Sequence, residues 1–210
     1  MKRILIADDH EIVRRGLKQI LSDEFPRLQV GEAANARDAI EAVLEQAWDL
    51  ALLDINMPGR SGLEVLEELK QLRPGMPVVM LTAFPDEDYA VRSFKLGASA
   101  YVTKGSASGE LVAAIRKSFA GGRYVTASLA EKLAANLAGE ALAVPHESLS
   151  NRELQVLRLI AQGRTIKEIA GEIGLSEKTI GTYRSRISEK MGHLTNVELT
   201  RYALQHKLTD

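Results

Sequence analysis

The chain has 210 residues, 45% hydrophobic and 26% charged, enough for one or two globular domains with sizeable cores. It contains no cysteine, which excludes disulfides and thiolate metal sites, and no apolar run reaches the length of a signal peptide core or a membrane span. A cytoplasmic protein with no membrane partner is the expectation. The net charge of −1 hides an asymmetry: residues 148–210 hold ten Lys/Arg against seven Asp/Glu, and residues 1–147 hold seventeen against twenty-one. An acidic front and a basic back suggest different partners for the two parts, nucleic acid being permitted for the second.

In chain order, Arg3 to Asp8 predicts a strand, and Val13, Leu17 and Ile20 recur at helical spacing. Leu28 to Ala33 predicts a second strand, followed by Ala36, Ile40 and Val43 on one helical face. Leu50 to Leu53 is a short apolar run that suits a strand buried on both faces, and it ends on Asp54 before a Pro58-Gly59 turn. Leu63, Leu66 and Leu69 mark a third helix, stopped by Arg73-Pro74-Gly75. Pro77 to Thr82 is the fourth strand, with a weaker helix over Glu87–Leu96. Ala100 to Thr103 is the fifth, and Leu111, Ile115 and Phe119 line a helix that stops at Gly121-Gly122. Five strand–helix units imply a doubly wound parallel sheet with helices on both faces.

A linker follows. Val125, Leu129, Leu133 and Leu137 stand four apart, so Ser128–Leu137 predicts an amphipathic helix, and Ala138–Glu147 reads as flexible. The tail reads as all helix, with four segments near 151–162, 165–173, 177–191 and 196–205. Ser150…Glu153, Thr165…Glu168 and Thr195…Glu198 fit the capping-box pattern, and Ser176 supplies a further N-cap. Gly174-Leu175 makes a tight turn between the second and third segments, the helix-turn-helix layout.

In open α/β sheets chemistry sits at the carboxyl ends of the strands. With strand one beside strand three, Asp8 and Asp9 come close to Asp54. Like charges so close repel unless a cation is bound. Oxygen ligands suit Mg²⁺, and the backbone carbonyl of Asn56 can supply one more. Thr82 closes strand four with a hydroxyl, and Lys104 closes strand five with an ammonium. A hydroxyl, a point cation and a metal are what a phosphoryl group on Asp54 needs, and carboxylate is a known acceptor. Taken singly, each residue has an equally good structural use: Asp8-Asp9 as helix caps, Asp54 as a turn opener, Thr82 as a strand former, Lys104 as a solvated lysine. Their joint placement at four strand ends favours a site.

Residues 1 to about 122 resemble the receiver domain of two-component response regulators. The matches are Asp8-Asp9, Asp54-Ile55-Asn56-Met57-Pro58-Gly59, Leu81-Thr82-Ala83 and Tyr101-Val102-Thr103-Lys104. The resemblance implies a flavodoxin-like fold and phosphoryl transfer to Asp54 from a sensor histidine kinase. It implies Mg²⁺ bound by Asp9 and Asp54, with Asp8 acting through water. Thr82 and Tyr101 would form the switch, hydroxyl toward the phosphoryl oxygen and ring inward, and Ala83 would leave room beside the phosphoryl group. One departure is Lys104-Gly105, where many receivers have Lys-Pro.

In the third tail segment Ile180, Tyr183, Ile187 and Met191 make the inward stripe, with Lys178, Thr182, Ser185, Arg186 and Glu189 largely opposite. Small polar and basic side chains suit entry to the DNA major groove. Lys167, Lys178, Arg184 and Arg164 can meet phosphates. On charge alone, an ordinary solvated face is an equal reading. Ser150 to Leu157, Lys167-Glu168-Ile169-Ala170 and Leu175 to Ile180 resemble the LuxR/GerE helix-turn-helix over about 148–208. The whole chain thus resembles a NarL/FixJ-type response regulator: receiver 1–122, partly helical linker 123–147, and a small four-helix DNA-binding domain 148–210. The resemblance implies a transcription factor rather than an enzyme, with promoter DNA and the transcription machinery as partners and a homodimer as the phosphorylated form. Its DNA contacts would come from Lys167, Lys178, Thr179, Gly181, Thr182, Arg184, Ser185 and Arg186. Many relatives have Lys at Gly181 and His at Tyr183, so the operator does not carry over.

Two rivals remain at this stage. A phosphatase of the haloacid-dehalogenase type uses such an Asp as nucleophile, but needs a second Asp two residues on, where Asn56 stands. A phosphorylation-independent DNA binder would keep the front part only as a dimerisation module.

Overall fold

A computed structural model describes residues 1–83, 87–106, 108–126, 129–131, 134, 145–206 and 208–209. The chain divides into two compact units, Met1–Ala135 and Asn136–Asp210.

The first unit alternates β1 (Lys2–Ala7), α1 (Glu11–Glu24), β2 (Leu28–Ala33), α2 (Ala36–Glu45), β3 (Leu50–Asp54), α3 (Gly62–Leu72), β4 (Val78–Thr82), α4 (Glu87–Lys95), β5 (Ala100–Thr103) and α5 (Ser108–Phe119). The sheet is parallel in the order β2-β1-β3-β4-β5. The expected adjacency of β1 and β3 is therefore present, with Ile6 beside Leu52 and Ala7 beside Leu53. Every residue of β3 and of β4 is buried, as a strand covered on both faces requires.

Strand alternation sends Ile4, Ile6, Leu50, Leu52, Val79, Leu81 and Val102 to one face, where they pack with Leu17 and Leu21 of α1 and Leu111, Ala114 and Ile115 of α5. Two of the expected helix stripes shift by one residue. In α1 Leu21, not Ile20, is fully buried, and in α2 Ala39 is, while Ile40 is half-exposed. Both changes follow from helices whose buried stripe is narrow and turns slightly about the axis. Trp48, the only tryptophan, lies across Gly31 of β2 and donates its indole N–H to the Ala42 carbonyl at 2.8 Å. A Cβ at Gly31 would stand 2.1 Å from that ring, so the strand carries no side chain where the indole rests.

After α5 the chain returns along the sheet. The Tyr124 amide donates to the Ser99 carbonyl at 2.9 Å and Tyr124 bridges Ala100, an edge contact that sequence periodicity gives no sign of. Of the expected linker helix, residues 129–131 and 134 are helical and the remainder of Ser128–Leu137 lies outside the described residues, as do 138–144.

The second unit begins with a 3₁₀ turn, Pro145–Ser148, and continues with α6 (Asn151–Ala161), α7 (Ile166–Ile173), α8 (Glu177–Lys190) and α9 (Asn196–Gln205). All three expected capping boxes form, at Ser150/Glu153, Thr165/Glu168 and Thr195/Glu198, and Ser176 caps α8 through the Thr179 amide. The core combines Leu154, Val156 and Leu157 with Ile169, Ile180, Ile187, Leu199 and Ala203, each at most 0% exposed. Tyr183 is half-exposed and does not join Ile180, Ile187 and Met191 in that core, which corrects the expected stripe. The 3₁₀ turn is tied to the last helix: His146 Nδ1 lies 2.8 Å from the Tyr202 hydroxyl, and Tyr202 stacks on His206 at 4.2 Å between centroids.

Candidate functional site

Strands β1, β3, β4 and β5 end together at one edge of the sheet, and the chain continues into loops there. The Asp8 amide donates to the Ala33 carbonyl at 3.1 Å, Ile55 to Leu81 at 2.9 Å, and Lys104 to Thr82 at 2.7 Å. These bonds extend the ladder one residue past the strands and fix the side chains that follow. Asp8, Asp54 and Thr82 are all buried, at 0%, 1% and 2% exposure. Lys104 reaches across the edge: its ammonium lies 2.7 Å from Asp8 Oδ2 and 2.9 Å from Asp54 Oδ2. Its side chain is 16% exposed, so the reading of Lys104 as a solvated surface lysine is excluded.

Three carboxylates and one imidazole share this edge. Donor atoms of Asp8, Asp9, His10 and Asp54 all fall within 4.8 Å of one another, a group that can hold a metal ion. His10 Nδ1 lies 2.9 Å from Asp9 Oδ1 and 3.4 Å from Asp8 Oδ1. Asp54 Oδ1 is buried without a well-formed hydrogen bond, the Asn56 amide drawing the carboxylate only weakly. Burial pushes the Asp54 carboxyl above the usual range; the Lys104 ammonium opposes that rise and the Asp8 charge adds to it. For Lys104, burial acts downward, but Asp54 and Asp8 outweigh it and the ammonium is held above its ordinary value.

The loops have their own supports. Arg14 on α1 donates to the Asp8 carbonyl at 2.7 Å and pairs with Glu32 at 3.2 Å, and Lys18 reaches the same Glu32 at 2.6 Å. Lys18 first, and Arg14 with it, hold the Glu32 carboxyl below the usual range. The Gly62 amide donates to the Ile55 carbonyl at 2.8 Å, and a Cβ there would stand 2.0 Å from the Asp54 backbone oxygen. Only glycine lets α3 start so close to the end of β3. The turn after Lys104 is closed by Ser106, whose amide and hydroxyl both donate to the Thr103 carbonyl, at 3.0 and 2.8 Å. Gly105 therefore needs no proline to define that turn. Tyr101 is buried at 8% exposure, its hydroxyl inside, and Ala83 is exposed at the mouth.

In the helical unit, α7 ends on Gly174, whose φ of 74° is left-handed, and Ser176 starts α8 two residues later. This fixes the α7–α8 turn. Lys167, Lys178, Thr182, Arg184, Ser185 and Arg186 are exposed; Thr179 and Gly181 are half-exposed. Several of the polar groups already bond within the unit: Thr179 with the Ser176 hydroxyl at 2.8 Å, Thr182 to the Lys178 carbonyl at 3.1 Å, and Arg184 to Asn196 at 2.7 Å. A Cβ at Gly181 meets nothing within 4 Å.

Residues 4–116 match the response regulator receiver domain family, and residues 147–203 match the bacterial regulatory proteins of the luxR family. The response regulator UvrY of Escherichia coli K12 is 36% identical over 209 residues, 99% of this chain and 96% of its own. GacA of Pseudomonas aeruginosa is 36% identical over 211 residues, 100% of this chain and 99% of its own. The chain is a NarL/FixJ-family response regulator. Among solved structures, RcsB of Salmonella enterica serovar Typhimurium, bound to promoter rprA with the phosphomimetic BeF₃⁻, is similar with a TM-score of 0.65 at 27% identity. That likeness covers 96% of this chain and 98% of RcsB. A receiver domain protein of Methanospirillum hungatei, 36% identical, covers 58% of the chain with a TM-score of 0.54.

In this regulator the sequence-derived residues Asp8, Asp9, Asp54, Thr82 and Lys104 do gather at one strand edge. Sequence reasoning missed His10, Arg14, Glu32 and Gly62. His10 had a visible signal, an imidazole directly after two acids; Arg14 and Glu32 did not, since their link depends on α1 lying over β2. The receiver implies a kinase partner, and among the described residues no helix is long and apolar enough to cross a membrane.

Proposed function

We propose that the receiver, residues 1–122, takes a phosphoryl group on Asp54 from a sensor histidine kinase and thereby switches promoter binding by residues 148–210 through the linker 123–147. The observation that carries this reading is Lys104 between Asp8 and Asp54, beside Thr82, at the strand edge. An Asp54 oxygen forms the new O–P bond as the donor's P–N bond breaks with its electron pair going to nitrogen, and the donor histidine, carrying a proton on its other ring nitrogen, leaves as the neutral imidazole. Asp9, Asp54 and the Asn56 backbone carbonyl would hold Mg²⁺, with Asp8 acting through water. When bound, that ion offsets the carboxylate charge and screens the incoming phosphoryl oxygens. Lys104 leaves Asp8 for a phosphoryl oxygen, and the Thr82 hydroxyl donates to another. Tyr101, already buried, keeps its ring inward as Thr82 moves, while Ala83 leaves the mouth open. Two states that hold the phosphoryl group differently are what switching requires.

In the second unit, α8 would enter the major groove. Lys178, Thr179, Gly181, Thr182, Ser185 and Arg186 face base edges or backbone, and Lys167 and Arg184 meet phosphates. RcsB bound to its promoter supports this reading. Val197 and Leu204 on α9 are 78% and 52% exposed and stand seven residues apart on one helical face, an apolar strip suited to a second copy. A phosphorylated homodimer then addresses two half-sites with added avidity and meets the transcription machinery in the cytoplasm.

The test is intact mass after treatment with acetyl phosphate and Mg²⁺. One phosphoryl group on the wild-type chain, and none on Asp54→Asn or without Mg²⁺, is expected. Promoter binding that is equal for wild type and Asp54→Asn under the same treatment would overturn the switching claim and leave a phosphorylation-independent DNA binder.

A further inference from the structure

We infer that the receiver carries a second binding site, at the amino ends of β1 and β2, for a small amphipathic monoanion: an apolar body the size of an aromatic ring system bearing one carboxylate. In a parallel sheet all the carboxyl ends, Asp54 among them, lie at one edge. Lys2 at the start of β1 and Leu28 at the start of β2 stand at the other, side by side in register. The site is therefore separate from the phosphoryl chemistry.

Between these strand starts and the last turns of α1 and α5 opens a cleft of about 740 Å³. Small-molecule sites run from roughly 300 to 1,000 Å³ and are mostly apolar, with a few polar groups that fix orientation. The walls here are Phe25, Leu28 and Phe119, which pack from outside against the core of the sheet. Phe25 and Phe119 meet edge to face, with 6.2 Å between centroids and planes at 85°. The turn that carries Phe25 is fixed by its backbone. The Phe25 amide donates to the Leu21 carbonyl at 2.9 Å, the Leu28 amide donates to the Phe25 carbonyl at 3.1 Å, and Pro26 stands between. A ligand meets walls that are already formed.

The rim decides the charge of the occupant. It holds Lys2, Arg27 and Arg116 against one acid, Glu24. Arg116 pairs with Glu24 at 3.2 Å and lies over Phe25, 5.0 Å from the ring centroid. Lys2 Nζ stands 3.7 Å from the Phe119 centroid, held by the ring face rather than by an acid. Among the described residues neither Lys2 nor Arg27 has a carboxylate partner. Two cations thus border an aromatic wall with no negative charge of their own. A neutral apolar ligand would fill the cleft and leave that charge unanswered. A carboxylate at the rim, with its body on Phe25, Leu28 and Phe119, answers both the charge and the apolar walls.

Isothermal titration calorimetry of the full chain with naphthoate tests this, with naphthylmethanol as a neutral partner of nearly the same shape. Saturable one-to-one binding of naphthoate is expected, and the alcohol should bind at least about tenfold more weakly, the worth of one charge-assisted hydrogen bond. Lys2→Gln and Arg27→Gln, both at the rim, should each weaken naphthoate several-fold, and Arg27→Lys should restore most of the loss. In a ¹⁵N-labelled chain the amide shifts should centre on Phe25, Leu28 and Phe119. Equal binding of acid and alcohol, shifts centred elsewhere, or no saturable binding would each overturn the inference. So would a chain that sediments as a dimer until Arg27→Glu separates it, since a second copy would then own the cleft.

Discussion

The receiver and the helical unit both depend on carboxylates, and they treat them in opposite ways. In the receiver, Asp8, Asp9 and Asp54 crowd one strand edge, and burial lifts the Asp54 carboxyl despite the ammonium beside it. In the helical unit, burial acts upward on Glu153 too, but Lys190 at 2.7 Å and the Ser150 cap outweigh it, and the carboxyl is held low. Glu168 and Glu198 are likewise held low, first by the Thr165 and Thr195 backbone amides that they accept from. A carboxylate that serves the fold is satisfied by a neighbour three residues away. At the receiver edge, Asp8 and Asp54 share the one Lys104 ammonium from a distant part of the chain, and the Asp54 carboxyl still stays high.

The largest expected effect tests the structural side. Glu153→Ala removes both the capping-box bond to Ser150 and the ion pair with Lys190. We expect a loss of about 2 kcal/mol in the helical unit, less than a fully buried pair because Lys190 is partly solvated. Far-UV circular dichroism would report that loss, while Trp48 fluorescence, which reads only the receiver, stays unchanged. Coincident loss in both signals would mean the two units do not melt separately.

Acid titration should divide the units next. The depressed carboxyls of Glu153, Glu168 and Glu198 contribute stability that is present above the ordinary glutamate value of 4.5 and is lost as pH falls through it and below. Asp54 has the opposite sign: its raised carboxyl favours the folded receiver at low pH, and that contribution is lost as pH rises through the folded value. Lowering the pH should therefore weaken the helical unit before Trp48 responds.

Gly181→Ala is expected to stabilise the helical unit by up to about 1 kcal/mol, because the site is open and α8 gains a better helix former. Promoter affinity that falls in the same variant would mean that the DNA backbone approaches Gly181 closely; unchanged affinity would remove Gly181 from the interface. The smallest expected effect on stability is that of Asp54→Asn. Removing a buried carboxylate whose burial outweighs its pairing with Lys104 should leave the receiver at least as stable at neutral pH, measured by denaturant unfolding followed at Trp48.

What the sequence disclosed follows the same division. β3 and β4 were legible because a strand covered on both faces is a continuous apolar run, and Asp54, Thr82 and Lys104 because each follows such a run directly. The tail boundaries were legible because Ser150/Glu153, Thr165/Glu168 and Thr195/Glu198 carry their partners three residues apart. A fourth box, Ser61/Glu64, carries the same spacing at the start of α3. Arg14 with Glu32, Tyr124 with Ser99 and His146 with Tyr202 were not legible, since each joins residues from separate elements. Tyr183 failed because apolar periodicity fixes the direction of a stripe better than the depth of its aromatic member.

Lys104 also has a meaning for how the receiver comes into being. A domain whose acidic pocket needs a dissolved ion to hold it together folds only as fast and as far as that ion is supplied. Here the chain brings its own counter-cation, directly after β5 at the edge of the sheet, and bonds it to both Asp8 and Asp54. The acidic edge is thus partly neutralised from within the chain, so the assembly of the receiver does not have to wait for a dissolved ion.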